Sequence, residues 1–127
     1  MAYLWVGIGS GIGGILRYGA VLWASQALSP NFPYGTLIVN VLGSTLIGCF
    51  AAFAMHPDFL MRAEIRLFLL PGLCGGFTTF SAFSLDTLLL ARSGEWGRAG
   101  INVAVSTALC LAGVCLGYAA TEWLRQR

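Results

Sequence analysis

Long apolar runs divide this chain into four segments, and charged residues fall mainly at the ends of these runs. A transmembrane helix needs about 20 consecutive, mostly apolar residues, and each run is long enough. The predicted membrane spans cover Tyr3–Leu28, Tyr34–Met55, Ile65–Ala91 and Ala99–Thr121. Four such spans in 127 residues leave no room for a soluble domain. The pattern therefore predicts an all-α membrane protein, with residues 1–127 forming a single four-helix transmembrane unit.

The third segment contains features of an interrupted helix. Its centre reads GLCGGFTTFSAFS over residues 72–84, and it has no charge from Leu67 to Leu85. Glycine inside a helix costs about 1 kcal/mol relative to alanine, so the pair Gly75–Gly76, next to two threonines, predicts a break mid-membrane. Broken backbone at that depth is tolerated only where its polar groups meet protein, an ion or water. Transport proteins bind ions at such breaks, so the sequence indicates a pore or ion site here.

Composition agrees with lipid as the solvent. The chain is 57% hydrophobic and 9% charged, whereas soluble domains are roughly 25% charged. A net charge of +2 is too small to indicate a nucleic-acid partner. The four cysteines lie inside predicted spans without metal-type spacing, so they are interpreted as small apolar fillers.

The distribution of arginines leaves the orientation open. Four arginines belong to the side that carries both termini and two to the opposite side: Arg62, Arg66, Arg125 and Arg127 against Arg92 and Arg98. Orientation follows the Lys/Arg bias of short loops, and this bias is weak. The chain could insert both ways, which would permit an antiparallel dimer. The alternative is one orientation with the charge-richer side inside.

The first two spans each carry one candidate polar residue. Arg17 lies well inside the first span, where an arginine is costly and by default a functional hypothesis. It is interpreted as an attractor for anions, with snorkelling to the interface as the alternative. Asn40 is the only amide in the second span and can donate two hydrogen bonds without carrying charge. It suits an anion path, with a helix–helix contact as the alternative.

The last two spans carry aromatic and hydroxyl candidates. Phe80 and Phe83 share one face of the helix that resumes after the break, and Ser81 lies beside them. Phenylalanines at this spacing ordinarily face lipid or pack in a core. The positive ring edges of phenylalanine can, however, partly solvate an anion. Ser106 is the hydroxyl nearest mid-membrane on a partly polar face of the fourth span, which it shares with Asn102.

Glycines four residues apart mark the first span. The two pairs are Gly7/Gly11 and Gly9/Gly13. Small residues at this spacing let helix backbones approach closely in lipid. Both pairs are therefore interpreted as helix-packing surfaces.

Together these motifs resemble the Fluc/CrcB family of small bacterial fluoride channels. The resemblance covers nearly the whole chain, with GGILRY at residues 13–18, GTLIVN at residues 35–40 and, most specifically, GGFTTFSAFS at residues 75–84. It implies a passive channel that exports cytoplasmic fluoride across the bacterial inner membrane. It also implies an antiparallel, dual-topology homodimer with two pores, each built from both subunits.

The resemblance also implies roles for individual residues. Phe80 and Phe83 would line the pore as an aromatic box. Asn40, Ser81 and Ser106 would donate hydrogen bonds along the anion path. Arg17 would sit in the aqueous vestibule. The backbone carbonyls of Gly75 and Thr78 would hold a structural Na⁺ at the dimer centre. Ala82 and Cys110 depart from the family, which often has hydroxyls there, so the polar path is expected to be thinner.

Two other membrane functions remain as alternatives. The first is a small four-span, proton-coupled multidrug exporter, a class that carries a glutamate in its first span. This chain has none there, and its first carboxylate is Asp58, in a loop. Asp86, near the end of the third span, is interpreted as an interfacial carboxylate or cap. The second alternative is an accessory structural subunit. No residue set suits catalysis, so the chain is not predicted to be an enzyme.

Overall fold

The computed structural model describes residues 1–55 and 61–127. These residues form helices and no strand, in agreement with the predicted all-α class. In chain order the elements are α1 (Ala2–Ala27), α2 (Tyr34–Ala54), α3 (Ala63–Leu67), a π-helical segment (Phe68–Cys74), α4 (Gly75–Phe77), α5 (Phe80–Arg92) and α6 (Trp96–Arg125). The loop predicted to carry Asp58 lies outside the described residues.

Three helical stretches of the described chain are long and apolar enough to cross a membrane: Tyr34–Ala54, Ala63–Arg92 and Trp96–Arg125. They correspond to the second, third and fourth predicted spans. Helix α1 has sufficient length, with 26 residues, but it is not one of these three stretches. Its crossing of the membrane stays a prediction.

The third span is broken, but the break lies at the threonines and not at the glycine pair. Thr78 (φ −89°, ψ 159°) and Thr79 (φ −152°, ψ 112°) have extended backbone. Gly75 and Gly76 are helical, so the prediction that these glycines open the helix was wrong. A Cβ at Gly76 would lie 2.5 Å from the carbonyl oxygen of Ser10. The glycine at position 76 therefore serves close helix packing.

A second irregularity precedes the break. The chain widens into a π-helix at Phe68–Cys74, with Pro71 inside it. Proline has no N–H and its ring clashes with the carbonyl four residues earlier in an α-helix. A π-helical bulge is one way to accommodate it. The interrupted third span thus has two deviations from α-helix, one on either side of Gly75.

Glycine contacts bring the helices together. A Cβ at Gly9 would overlap the carbonyl oxygen of Phe68, and one at Gly13 would overlap that of Leu73. The Gly9/Gly13 pair therefore packs α1 against the π-helical segment, as the spacing predicts. A Cβ at Gly7 or Gly11 would have no neighbouring atom within 4 Å, so this second pair does not pack the protomer.

Helices α2 and α6 pack in the same way. A Cβ at Gly48 would overlap the carbonyl oxygen of Val114, and one at Gly117 would overlap that of Thr45. Small side chains dominate the buried apolar positions, which include Ala24, Val39, Ala52, Cys74 and Ala99. Close backbone approach is what holds helices together where lipid surrounds them. This packing places α2, α5 and α6 around the helix break.

Candidate functional site

A cavity of about 430 Å³ lies beside the break in the third span. Helices α2, α4, α5 and α6 line it together with Cys74 of the π-helical segment and the threonines of the break. None of the described residues that line it is an acid, a lysine or an arginine. Six of the eight predicted site residues are among them: Asn40, Gly75, Thr78, Phe80, Phe83 and Ser106. Ser81 and Arg17 are not.

Asn40 is joined to the broken backbone by two hydrogen bonds. The Thr79 N–H donates to Asn40 Oδ1 at 2.7 Å, and Asn40 Nδ2 donates to the Thr79 carbonyl at 3.0 Å. Both residues are buried, with exposed fractions of 8% and 7%. The side chain thus satisfies a donor and an acceptor that the break has freed. The second Nδ2 hydrogen of Asn40 takes no part in these two hydrogen bonds.

Thr79 then begins the next helix. It is the N-cap of α5, and its hydroxyl accepts from the Ala82 N–H at 3.1 Å. Ser81 Oγ lies 3.1 Å from the same hydroxyl. Ser81 is exposed and meets the cavity only through Thr79, which lines it. Thr79 was not among the site residues predicted from the sequence, although threonine directly before an apolar helical run is a cap signal.

The two phenylalanines contact each other beside the cavity. Their ring centroids are 5.3 Å apart and the planes are tilted by 42°. This distance and tilt fall within the ordinary range of aromatic pairs. Phe80 is 79% exposed, so its ring lies on the surface of this protomer. Phe83, one turn later, is half-buried.

Ser106 begins a chain of hydrogen bonds that ends at the backbone of Phe83. Its hydroxyl donates to Asn102 Oδ1 at 3.3 Å, and Asn102 Nδ2 donates to Thr87 Oγ1 at 2.9 Å. The Thr87 hydroxyl donates in turn to the Phe83 carbonyl at 2.8 Å. Asn102 is only 2% exposed. This chain of contacts joins α6 to α5, and Thr87 was not among the residues predicted from the sequence.

Thr36 and Asp86 form a further contact between α2 and α5. The Thr36 hydroxyl donates to Asp86 Oδ2 at 2.6 Å. Such a short distance is typical of a hydroxyl bonded to a carboxylate. Thr36 is buried and Asp86 is half-buried. Asp86 is therefore tied to α2, a partner that the interpretation as an interfacial carboxylate or cap did not include.

Arg17 lies apart from this cavity. It is half-buried on α1 and does not line the cavity. In the described part of the chain it forms no ion pair. The arrangement within one protomer does not bring Arg17 together with the other predicted site residues.

The carbonyls of Gly75 and Thr78 have lost their usual helical donors. In a continuous helix the N–H of Thr79 would bond to Gly75, and that of Ala82 to Thr78. Here these N–H groups donate to Asn40 Oδ1 and Thr79 Oγ1 instead. Carbonyl oxygens freed in this way suit a hard cation such as Na⁺. The described residues contain no cluster of acidic, histidine or cysteine ligands for another metal.

Comparison with known proteins gives consistent matches over nearly the full length. The sequence model of the family described as CrcB-like protein, Camphor Resistance (CrcB), matches residues 4–118. A fluoride-specific ion channel FluC of Paramagnetospirillum magneticum is 47% identical over 121 residues, which are 94% of each chain. Proteins of the same name match from Methylocella silvestris, at 45% identity over 99% of this chain and 97% of the relative, and from Opitutus terrae, at 47% over 96% and 93%.

Proposed function

This chain belongs to the CrcB-like family, and on that premise we propose that it is a fluoride-selective, passive anion channel. The relatives named above are fluoride-specific ion channels, and an ion channel is not an enzyme. The apolar helices imply a multi-pass membrane protein. The finer proposal is that it resides in the bacterial inner membrane and lets cytoplasmic fluoride leave the cell.

The observation that carries this proposal is the composition of the cavity at the helix break. Among the described residues, its lining combines an amide, hydroxyls and two phenylalanine rings and includes no acidic, lysine or arginine side chain. A small anion holds its water tightly, so a selective path must replace that water with donors. Neutral donors can do so without trapping the ion as a buried cation would. The described lining also holds no acidic group, which would repel an anion.

Each lining group has a role in this proposal. Asn40 offers the Nδ2 hydrogen that Thr79 does not use, and Ser106 offers its hydroxyl after a small rotation away from Asn102. Phe80 and Phe83 present ring edges, the positive part of the aromatic quadrupole. Cys110 lines the same cavity where the family often has a hydroxyl, and a thiol is a weaker donor. We therefore expect slower conduction than in relatives with a hydroxyl there.

Two predicted residues fall outside the cavity of one protomer, and each keeps a proposed role. Ser81 acts on the anion path through the Thr79 hydroxyl, with which it shares a hydrogen bond. Arg17 faces an aqueous vestibule and attracts anions toward the path.

The proposed assembly is an antiparallel, dual-topology homodimer with two pores, each built from both subunits. Support comes from the exposure of groups at the break: Phe80 is 79% exposed, and Gly75 is exposed mid-span. A cavity lined by such groups is not closed by one protomer. The weak arginine asymmetry is compatible with insertion in both orientations.

A structural Na⁺ at the centre of this dimer fits the donor set of the break. The carbonyls of Gly75 and Thr78 would hold it, because both have lost their helical donors and both line the cavity. An ion bound between two such breaks would supply positive charge that fixes their carbonyls. This chain supplies the helix break, in which Asn40 bonds to the backbone of Thr79 and Thr79 caps α5.

The test is ion efflux from liposomes that contain the purified protein. Rapid, passive fluoride efflux with negligible chloride efflux would support the channel. Drug uptake driven by a proton gradient would support the exporter instead. Absence of both, from protein that is folded and inserted, would favour the accessory subunit and overturn the proposal.

A further inference from the structure

The paired hydrogen bonds between Asn40 and Thr79 indicate a second task for Asn40. A continuous helix would bond the Thr79 N–H and carbonyl to its own backbone, and at this break one side chain of α2 meets both. We propose that Asn40 is a positioning residue, whose carboxamide replaces the missing helical hydrogen bonds and fixes the conformation of the break. This proposal rests on the channel function and assigns it a structural requirement distinct from anion donation.

The chemistry of the pair restricts which side chains can form it. The amide presents one acceptor and one donor on a single rigid plane, and the Thr79 peptide presents their complements. An ionised aspartate has no donor for the Thr79 carbonyl. Leucine, of similar size, has neither a donor nor an acceptor. A backbone N–H or carbonyl left without a hydrogen bond at membrane depth is costly. Either substitution should therefore let the backbone at Thr79 leave its present conformation.

The position of Thr79 determines where the two phenylalanine rings lie. Its hydroxyl caps α5 through the Ala82 N–H, and α5 begins with Phe80. Phe83 follows one turn later and contacts the first ring. A shift of Thr79 therefore shifts the first turn of α5 and both rings. In this way Asn40 acts on the pathway through the backbone, in addition to any contact with the anion.

Protonation of an aspartate at position 40 separates the two roles. A protonated carboxyl has one O–H donor and one acceptor oxygen, which suffices for the Thr79 peptide. It has no second donor hydrogen for an anion, unlike the amide of Asn40. Acidification of the Asn40→Asp variant should consequently restore positioning without restoring donation.

The experiment is electrical recording of fluoride current through the full-length protein in lipid bilayers, since neutral HF carries no current. At about pH 7 we expect Asn40→Asp to lose roughly tenfold or more of the wild-type current, the effect of a lost buried hydrogen-bond pair. At about pH 3.5, below the usual aspartate pKa of about 3.9, the current should return to within roughly threefold of wild type at the same pH. Asn40→Leu, the matched control, should stay low at both pH values.

Other titratable groups near Asn40 must be controlled. Cys74 and Cys110 line the same cavity, and Asp86 on α5 is bonded to Thr36, one turn from Asn40. Wild-type currents at both pH values correct for these groups, and Asp86→Asn combined with Asn40→Asp removes the nearest carboxylate. Recovery on acidification should persist in the double variant.

Amide hydrogen exchange resolved to single residues tests the pair independently of transport. The Thr79 amide should be protected in wild type, and its exchange should accelerate roughly tenfold or more in Asn40→Leu, with α6 unaffected. An Asn40→Asp current that stays low at acidic pH, an active Asn40→Leu, or an unprotected Thr79 amide in wild type would each overturn the positioning role. A wild-type protein without fluoride current would instead refute the channel, while the exchange result would still decide the role of Asn40.

Discussion

The ring of Phe80 rests against that of Phe83, with centroids 5.3 Å apart and planes tilted by 42°. The first ring is nevertheless 79% exposed, so it contributes little to the packing of its own protomer. Phe80 thus lies at the edge of the cavity, contacts Phe83 and is not part of a packed core. Its ring is therefore available to contact an ion. This relationship makes Phe80 the residue at which function and folding can best be separated.

Phe80→Ile should reduce fluoride flux by roughly tenfold or more, because isoleucine has no ring edge to offer an anion. Dimer assembly should persist, since the replaced ring is largely exposed. The measurement is fluoride efflux from liposomes, with cross-linking to count subunits. Leu88→Ile is the matched control, as Leu88 is an exposed residue of the same helix and lies away from the cavity. Equal flux in both variants would remove Phe80 from the path.

Gly75→Val should block dimer assembly while leaving the protomer helical. A Cβ at Gly75 would meet only the Leu70 carbonyl oxygen, at 3.9 Å, so the protomer has room for it. The residue is exposed beside the break, where the proposed partner subunit would approach. Subunit counting in lipid and circular dichroism together test this expectation.

Gly76→Val is the control for that experiment. Its Cβ would fall 2.5 Å from the carbonyl oxygen of Ser10, a distance that real side chains do not adopt. This variant should lose protomer stability as well as assembly. A normal dimer of Gly75→Val would show that no partner backbone approaches the break.

Thr36→Val should lower stability by about 1–3 kcal/mol, because it leaves the half-buried carboxylate of Asp86 without its hydroxyl donor. Thr36→Ser keeps the donor and should cost much less. Reversible unfolding in mixed detergent would measure both variants. Equal stabilities would indicate that water replaces the hydroxyl at the 2.6 Å contact, and would argue against a structural role for this pair.

Much of the architecture follows from local sequence, because lipid imposes a minimum helix length and excludes charge. The second, third and fourth spans and the presence of a break are predictable on these grounds. The exact position of the break is not, because it depends on a contact between separate helices. Gly76 is helical and packs against Ser10 of α1, and a single sequence does not reveal that neighbour.

The candidate site, like the fold, was predictable only in part. The residue types near the break predict a polar cavity in an apolar chain, and the structure brings six of the predicted residues to it. The hydrogen-bond partners were not predictable, since Asn40 and Thr79 are 39 positions apart. The sequence does contain two local signals: Thr79 directly before an apolar run predicts a helix N-cap, and Pro71 predicts a distortion of the helix that contains it.

The two glycine pairs of α1 should differ sharply in their tolerance of alanine. Gly9→Ala and Gly13→Ala would each drive a methyl group into backbone of the π-helical segment, and we expect losses of about 1–3 kcal/mol or more. Gly7→Ala and Gly11→Ala meet nothing in the protomer, so they should gain up to about 1 kcal/mol of helix propensity. Unfolding measurements on monomeric protein would test this. If the dimer alone is weakened by alanine at positions 7 and 11, that pair packs against the partner subunit, and the four-residue spacing then serves two different interfaces on one helix.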